Sequence, residues 1–352
     1  MYLQNFLSEN WWEAATLEEV FEELAKGAEV DVRAENGLTA FSLAVSLNGN
    51  PEVIKLLIDH GADIYARDDF DRTPLMLAAE VNSHAEIAKL LIDCGLDVNW
   101  QNEYGEDALV LACEQNSNPE VVKVLIAAGA DVNRQYLMGK TALMVAAENN
   151  ENAEIIKMLV ENGADYNAHT VMGETALMLA ASNNPEVAVI QTLVALGADV
   201  NETNQFGETP LMLAAESNLN QDVIKTLLEN GAQVNAQDRN GATALMKSTF
   251  NENNYDVMEL LLSYGADENM RDKDGQSFED YEENREKEMF EYLEEDDGYD
   301  DEDGEFELAD DDAEYGLAGE DEDFTGDGED FADDGEEFTG DYDEILRSEE
   351  EQ

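Results

Sequence analysis

Apolar and polar positions along this chain recur with a period of 34 residues. In residues 139–172, Ala142, Leu143, Val145, Ala146 and Ala147 fall at helical spacing and predict one short helix rich in small side chains. Asn150 follows at the expected helix end, a place suited to the left-handed conformation that Asn tolerates. A second helix is predicted from near Ala153, with Ile155, Ile156, Leu159 and Val160 along one face. Gly163 stops it as a C′ glycine, and residues 164–172 read as an extended turn into the next copy. The unit is therefore helix, turn, helix and hairpin-like loop. Neither helix can bury its apolar face alone, so stacked neighbours must supply the missing surface.

The punctuation keeps the same step. Gly27, Gly61, Gly95, Gly129, Gly163, Gly197, Gly231 and Gly265 share one register. Thr39, Thr73, Thr141, Thr175, Thr209 and Thr243 share another, with Asp107 and Ser277 in the two remaining slots. The slot of Asn150 holds Asn48, Asn82, Asn116, Asn184 and Asn218 elsewhere, and Pro51, Pro119 and Pro185 open the second helix where a missing N–H costs nothing.

Two copies carry a family likeness. One reads Asp71-Arg72-Thr73-Pro74-Leu75-Met76-Leu77-Ala78-Ala79, then Gly95-Leu96-Asp97-Val98-Asn99. Another reads Gly207-Glu208-Thr209-Pro210-Leu211-Met212-Leu213-Ala214-Ala215, then Gly231-Ala232-Gln233-Val234-Asn235-Ala236. This resembles the ankyrin repeat, over about residues 5–294. The family period is about 33 residues, and here one residue is added between the two helices. The family's His is replaced by Met76, Met144, Met178, Met212 and Met246, and by Val110, so apolar packing is expected to stand in for its hydrogen bonds. The likeness is closer to bacterial than to animal members. It implies an all-α ankyrin-repeat solenoid that binds a protein without catalysis, through hairpin tips and the concave helix face, and with no cofactor.

Four segments follow from the pattern. Residues 1–36 form an N-terminal capping repeat, with Leu17, Val20, Phe21 and Leu24 on one helix face. Residues 37–274 hold seven 34-residue repeats, and residues 275–294 a closing cap in which Phe278, Tyr281, Met289, Phe290 and Leu293 point inward. From residue 295 the periodicity stops. Residues 294–352 carry 31 Asp and Glu against one basic residue, Arg347. That composition predicts a disordered acidic tail. Phe324, Phe331 and Phe338 are spaced by seven within it, and acids interleaved with aromatics suit a basic, partly apolar partner.

Candidate binding residues come from the repeat register. The turn-tip position holds Phe70, Tyr104, Met138, Met172 and Phe206, flanked by Leu137 and Val171. A tip has little core to bury in, so the row reads as a contact stripe, or as tips packed on neighbouring tips. The end of each first helix faces the groove with Glu80, Glu114, Glu148 and Glu216. Apolar tips beside an acidic groove suit a protein with a basic and partly apolar surface, or the charge row is only a solvated face.

Charge and inventory narrow the remaining classes. The formal net charge is −66 over 352 residues, which opposes direct binding to nucleic acid. No apolar run is long enough to span a membrane. Cys94 and Cys113 are too few for a disulfide framework or a zinc site. The first residues lack a basic n-region, so no cleaved signal peptide is expected, and a monomer in the cytoplasm is the expectation. His60, His84 and His169 show no partner spacing, and there is no phosphate loop, metal motif or nucleophile elbow, which argues against an enzyme. Two other functions fit the residues. One is an acidic chaperone or nucleic-acid mimic that sequesters a basic protein through the tail. The other is an exported bacterial effector acting in a host cell.

Overall fold

Each copy opens on a side chain that caps a helix. In the computed structural model, which describes residues 6–34, 36–251, 254–285 and 287, the Thr141 hydroxyl accepts from the Met144 amide and α9 (Ala142–Asn149) begins there. Thr39, Thr73, Thr175, Thr209 and Thr243 do the same for α3 (Ala40–Leu47), α5 (Pro74–Val81), α11 (Ala176–Asn183), α13 (Pro210–Ser217) and α15 (Ala244–Lys247). Asp107 caps α7 (Ala108–Gln115) with one carboxylate oxygen that accepts from two amides. These seven are the inner helices.

The outer helices start at a second cap. Asn152 accepts from Glu154 N to open α10 (Ala153–Glu161), and Asn50, Asn118 and Asn220 serve α4 (Pro51–Asp59), α8 (Pro119–Ala127) and α14 (Gln221–Glu229). The remaining outer helices are α6 (Ala85–Asp93), α12 (Val187–Leu196) and α16 (Asn254–Ser263). Gly163 ends α10 at φ 94°, and the Ala164 amide bonds back to Leu159 O at 2.9 Å, as a C′ glycine should.

Inner helix packs on inner helix and outer on outer through the series. The first six residues of α9 are all buried, because Ala142, Ala146 and Ala147 let helices approach on two sides while Leu143, Met144 and Val145 fill the gaps. The outer helix is amphipathic instead: Ile155, Ile156 and Leu159 are buried, and Lys157 and Glu161 face solvent. Met76, Met144, Met178, Met212 and Met246 all lie in the core. The architecture is an all-α ankyrin-type solenoid, with one inner and one outer helix per layer.

Asn150 departs from the sequence expectation. It lies at φ −95° and ψ 129°, extended rather than left-handed. Its side chain is buried and donates to Cys113 O and Asn116 O, both at 3.1 Å in the preceding layer, while its Oδ1 accepts from Asn152 N at 2.9 Å. The slot is a hydrogen-bonded seam between layers, and it recurs from Asn48 to Asn251.

The N-terminal end carries α1 (Glu9–Ala14) and α2 (Leu17–Ala25), the latter opened by a Thr16–Glu19 capping box. Val20 is buried and Leu24 packs on the core, but Leu17 and Phe21 stay exposed, one turn apart and off the face that meets α4. At the other end α15 is cut short into a 3-10 turn, Ser248–Phe250, where the Ser248 and Thr249 hydroxyls bond the carbonyls three residues back. Phe278 is buried and Tyr281 packs against Phe250. The chain divides into two units, Met1–Gly298 and Tyr299–Gln352, and every described residue belongs to the first. Met289, Phe290, Leu293 and the tail with Phe324, Phe331 and Phe338 lie outside the described residues. Among those described, no helix is long and apolar enough to cross a membrane.

Candidate functional site

The tip residues are displayed by a buried side chain beneath them. Asn204 is buried, and its Oδ1 accepts from Phe206 N at 2.9 Å and Glu208 N at 3.0 Å. That Asx-type turn leaves the Phe206 ring nowhere to go but outward. Asp68 and Asn102 hold Phe70 and Tyr104 the same way, and the Thr170 hydroxyl holds Met172. Phe70, Tyr104, Leu137, Met138, Val171 and Phe206 are exposed, and Met172 is half-buried. The Phe70 and Tyr104 rings also approach each other, with centroids 6.5 Å apart.

One tip is built differently. Tyr136 occupies the slot of Asn204 and has no acceptor for the turn amides. The loop instead closes as a 3-10 turn over Leu137–Gly139, with Met138 at φ 59°. A bulky residue in the left-handed region is unusual, and the turn leaves Leu137 72% exposed, more than any other large apolar side chain among the described residues. The Tyr136 hydroxyl turns inward and donates to Asp107 Oδ1 at 2.8 Å. The two departures from the repeat pattern thus answer each other: a carboxylate replaces the capping Thr where a phenol replaces the turn-forming Asx. Burial raises the Asp107 carboxyl above its ordinary range, against the Tyr136 hydroxyl, two amides and Arg134.

Neighbouring tips are joined by backbone hydrogen bonds at most steps. Val171 N donates to Met138 O, Gln205 N to Met172 O, Arg239 N to Phe206 O and Lys273 N to Asn240 O, all at 2.8–2.9 Å. Among the described residues no such bond joins Glu103 to Phe70 or Leu137 to Tyr104. The ladder of tips is interrupted on both sides of Tyr104.

The groove carboxylates Glu80, Glu114, Glu148 and Glu216 are half-buried at the ends of the inner helices. Three of them have cations the sequence reading did not pair. Arg72 reaches Glu80 at 3.0 Å and Asp68 at 2.7 Å; Lys140 reaches Glu148 at 2.6 Å; Lys247 reaches Glu208 at 2.7 Å and Glu216 at 2.9 Å. The missed signal was the register of Arg72, where successive copies read Arg72, Glu106, Lys140, Glu174 and Glu208. Burial lowers the Lys247 affinity for its proton, yet its hydrogen bonds to Glu208 and Glu216 prevail and the net shift is upward. Glu208 is resisted by burial and still lowered by Lys247 and Asn204. Glu114 makes no ion pair among the described residues. Burial raises it first, then Glu106, Glu80 and Glu148, with Lys140 only partly offsetting them.

Tips and groove meet in one cavity of about 290 Å³, lined by Tyr104, Leu137 and Met138 on the apolar side and by Glu106 and Glu114 on the acidic side. The histidines are scattered: His60 bonds Leu56 O, His84 bonds Asn82, and His169 bonds Glu202. Among the described residues, no group of His, Cys, Asp and Glu could hold a metal ion.

Comparison with known families matches the chain to a model described as ankyrin repeats (3 copies), in overlapping placements over residues 12–102, 42–136, 75–170, 109–204 and 177–272. No curated protein matches the chain.

Proposed function

From the premise that the chain belongs to the ankyrin repeat family, whose repeats generally serve protein–protein interaction, we propose that it is a non-catalytic scaffold or adaptor. Its partner is held along the tip row and the groove-facing ends of the inner helices. One observation carries this reading: Phe70, Tyr104, Met138, Met172 and Phe206 form a row of apolar tips whose turns are fixed by buried side chains or by hydrogen bonds to the next tip. Large side chains presented on a rigid frame lose little freedom on binding, which is what an interface anchor requires.

The test replaces those five residues with Ser in the full chain. Capture from lysate should lose the partner while the far-ultraviolet circular dichroism is unchanged, since the tips contribute little to the helical core. Retention of the partner by a folded variant sinks the reading.

A second reading draws on charge. Residues 294–352 hold 31 acidic side chains, and such a segment can sequester a basic protein. It makes the opposite demand: capture that collapses at high salt and on removal of those residues. Salt-resistant capture by the repeats excludes it.

A further inference from the structure

The layers of this chain carry their own controls, because the same groove positions recur with different partners. In the α5 layer, Arg72 is bonded to Asp68 and Glu80, and its guanidinium lies 5.5 Å from the centroid of the Phe70 ring. In the α13 layer, Glu208 takes the place of Arg72. Glu208 and Glu216 then share the Lys247 ammonium, which arrives from the next layer. Both layers therefore present a cation to the groove carboxylates, and in the α5 layer that cation also lies against an aromatic tip.

The α7 layer repeats the acceptor half of the α13 arrangement. Glu106 stands at the position of Glu208, Glu114 at that of Glu216 and Tyr104 at that of Phe206. Even the orientation is kept: Asn102 Nδ2 donates to Glu106 Oε2 at 2.8 Å, as Asn204 Nδ2 donates to Glu208 Oε2 at 2.8 Å. What differs is the cation. The position that holds Lys247 for the α13 layer holds Val145 for the α7 layer, and the position of Arg72 is taken by Glu106 itself. Lys140 borders the space, but its ammonium pairs with Glu148 at 2.6 Å. The cavity of about 290 Å³ opens at this place, with Val145 in its wall. It also opens where the tip-to-tip backbone bond between Tyr104 and Leu137 is absent and the most exposed apolar tip residue stands.

We infer that Glu106 and Glu114 form a receptor for one basic side chain of the protein partner, an Arg or Lys flanked by apolar residues. The inference rests on the interaction-module reading and names the chemistry of its partner. The carboxylates take the charge in the way Glu208 and Glu216 take Lys247. Tyr104 offers its ring as Phe70 does to Arg72, and Leu137 and Met138 cover the apolar flanks. A half-buried pair of like charges that makes no ion pair among the described residues, and that Lys140 only partly offsets, is unfavourable in the free protein, and relief of that penalty favours a cation over a neutral isostere.

The chain suggests the decisive variant. Glu106→Arg places in the α7 layer the residue that the α5 layer already has at that position, so it satisfies Glu114 from within and fills the receptor. Glu154→Arg makes the same change of charge on the exposed outer helix α10 and controls for the electrostatic field of the molecule. Random short peptides displayed on phage are selected on the full-length protein, and each binder is measured against both variants. Glu114→Gln serves as a second variant should Glu106→Arg fail to fold.

The expected outcome is binders that share one Arg or Lys beside apolar residues, lose at least about tenfold in affinity on Glu106→Arg or Glu114→Gln, and hold to Glu154→Arg. Substitution of their basic residue by citrulline or norleucine should cost as much. Binders without a common basic residue, or binders equally tight on Glu106→Arg, overturn the inference. If such binders are lost on the five-Ser tip variant, the module reading stands without this receptor. A selection that yields no binder at all removes both.

Discussion

Asp107 puts a carboxylate where Thr39, Thr73, Thr141, Thr175, Thr209 and Thr243 put a hydroxyl at the helix cap. It is fully buried, and its Oδ1 accepts from Leu109 N, Val110 N and the Tyr136 hydroxyl. Its Oδ2 has no hydrogen-bond partner, and the nearest cation, Arg134 Nε, lies 3.8 Å away. Burial therefore raises its pKa from the ordinary value of 3.8 despite those contacts. The sign for stability follows from linkage. A carboxyl that binds its proton more tightly when folded favours the fold fully below the unfolded value and loses that contribution as pH rises through the folded one. Asp107→Asn keeps an acceptor at the cap and removes the charge. The Asn variant should be more stable than the parent at pH 7, with the difference shrinking as pH is lowered toward 4. Urea midpoints at several pH values check it; a pH-independent difference would mean that the buried charge is not the cause.

Elements in this chain are held by seams as much as by apolar faces. An eight-residue inner helix such as α9 is too short to persist alone in water. The Asn150 side chain ties the end of α9 to Cys113 O and Asn116 O of the α7 layer and to its own chain at Asn152 N. Asn150→Ala leaves two buried carbonyls and one amide without their partner, a loss of about 2–4 kcal/mol from the cost of unsatisfied buried groups. Asn150→Asp keeps the bond to Asn152 N but sets an oxygen against two carbonyls, so it should be no better than Ala at neutral pH. Chemical denaturation of both variants decides this, and a loss under about 0.5 kcal/mol for Ala, the range of an ordinary surface change, would contradict the seam. The seam also marks what the sequence could say. The 34-residue step, helix limits such as those of α10, the C′ glycines and the tip positions were legible because each rests on local spacing. The recurrence of Asn150 was visible as well, but its role was not, since its acceptors lie 34 and 37 residues away. The exposure of Leu17 and Phe21 was hidden for the same reason: helical spacing shows that residues share a face, and only the neighbour shows how much of that face is covered. In the groove, Glu80, Glu114, Glu148 and Glu216 were legible as a row, while the cations that separate a paired carboxylate from a receptive one needed the stacking of layers.

At the scale of the whole molecule, charge is the dominant unbalanced quantity. The chain holds 84 acidic and 18 basic side chains. Several basic residues are already committed to local pairs, as Lys55 is to Glu52, Lys123 to Glu120 and Lys247 to the α13 groove. Folding brings the remaining carboxylates of successive layers into parallel rows, whereas the unfolded chain spreads them. Self-repulsion of this kind weakens the folded state and is screened by salt. Raising ionic strength from about 0.01 M to 0.15 M cuts the Debye length from roughly 30 Å to 8 Å, shorter than the span of several layers. Exposed pairs such as Lys123–Glu120 are screened too, but each is worth only about 0–1 kcal/mol. The half-buried Lys247 cluster is shielded less by mobile ions. The melting temperature at pH 7 should therefore rise with sodium chloride over this range and then level off. Amide exchange should show the α7 layer gaining most, because among the described residues Glu106 and Glu114 make no ion pair and Lys140 offsets Glu114 only in part. A melting temperature that falls with salt would mean that attraction within the ion pairs outweighs repulsion between the rows. The receptive character assigned to Glu106 and Glu114 would then lose its electrostatic basis.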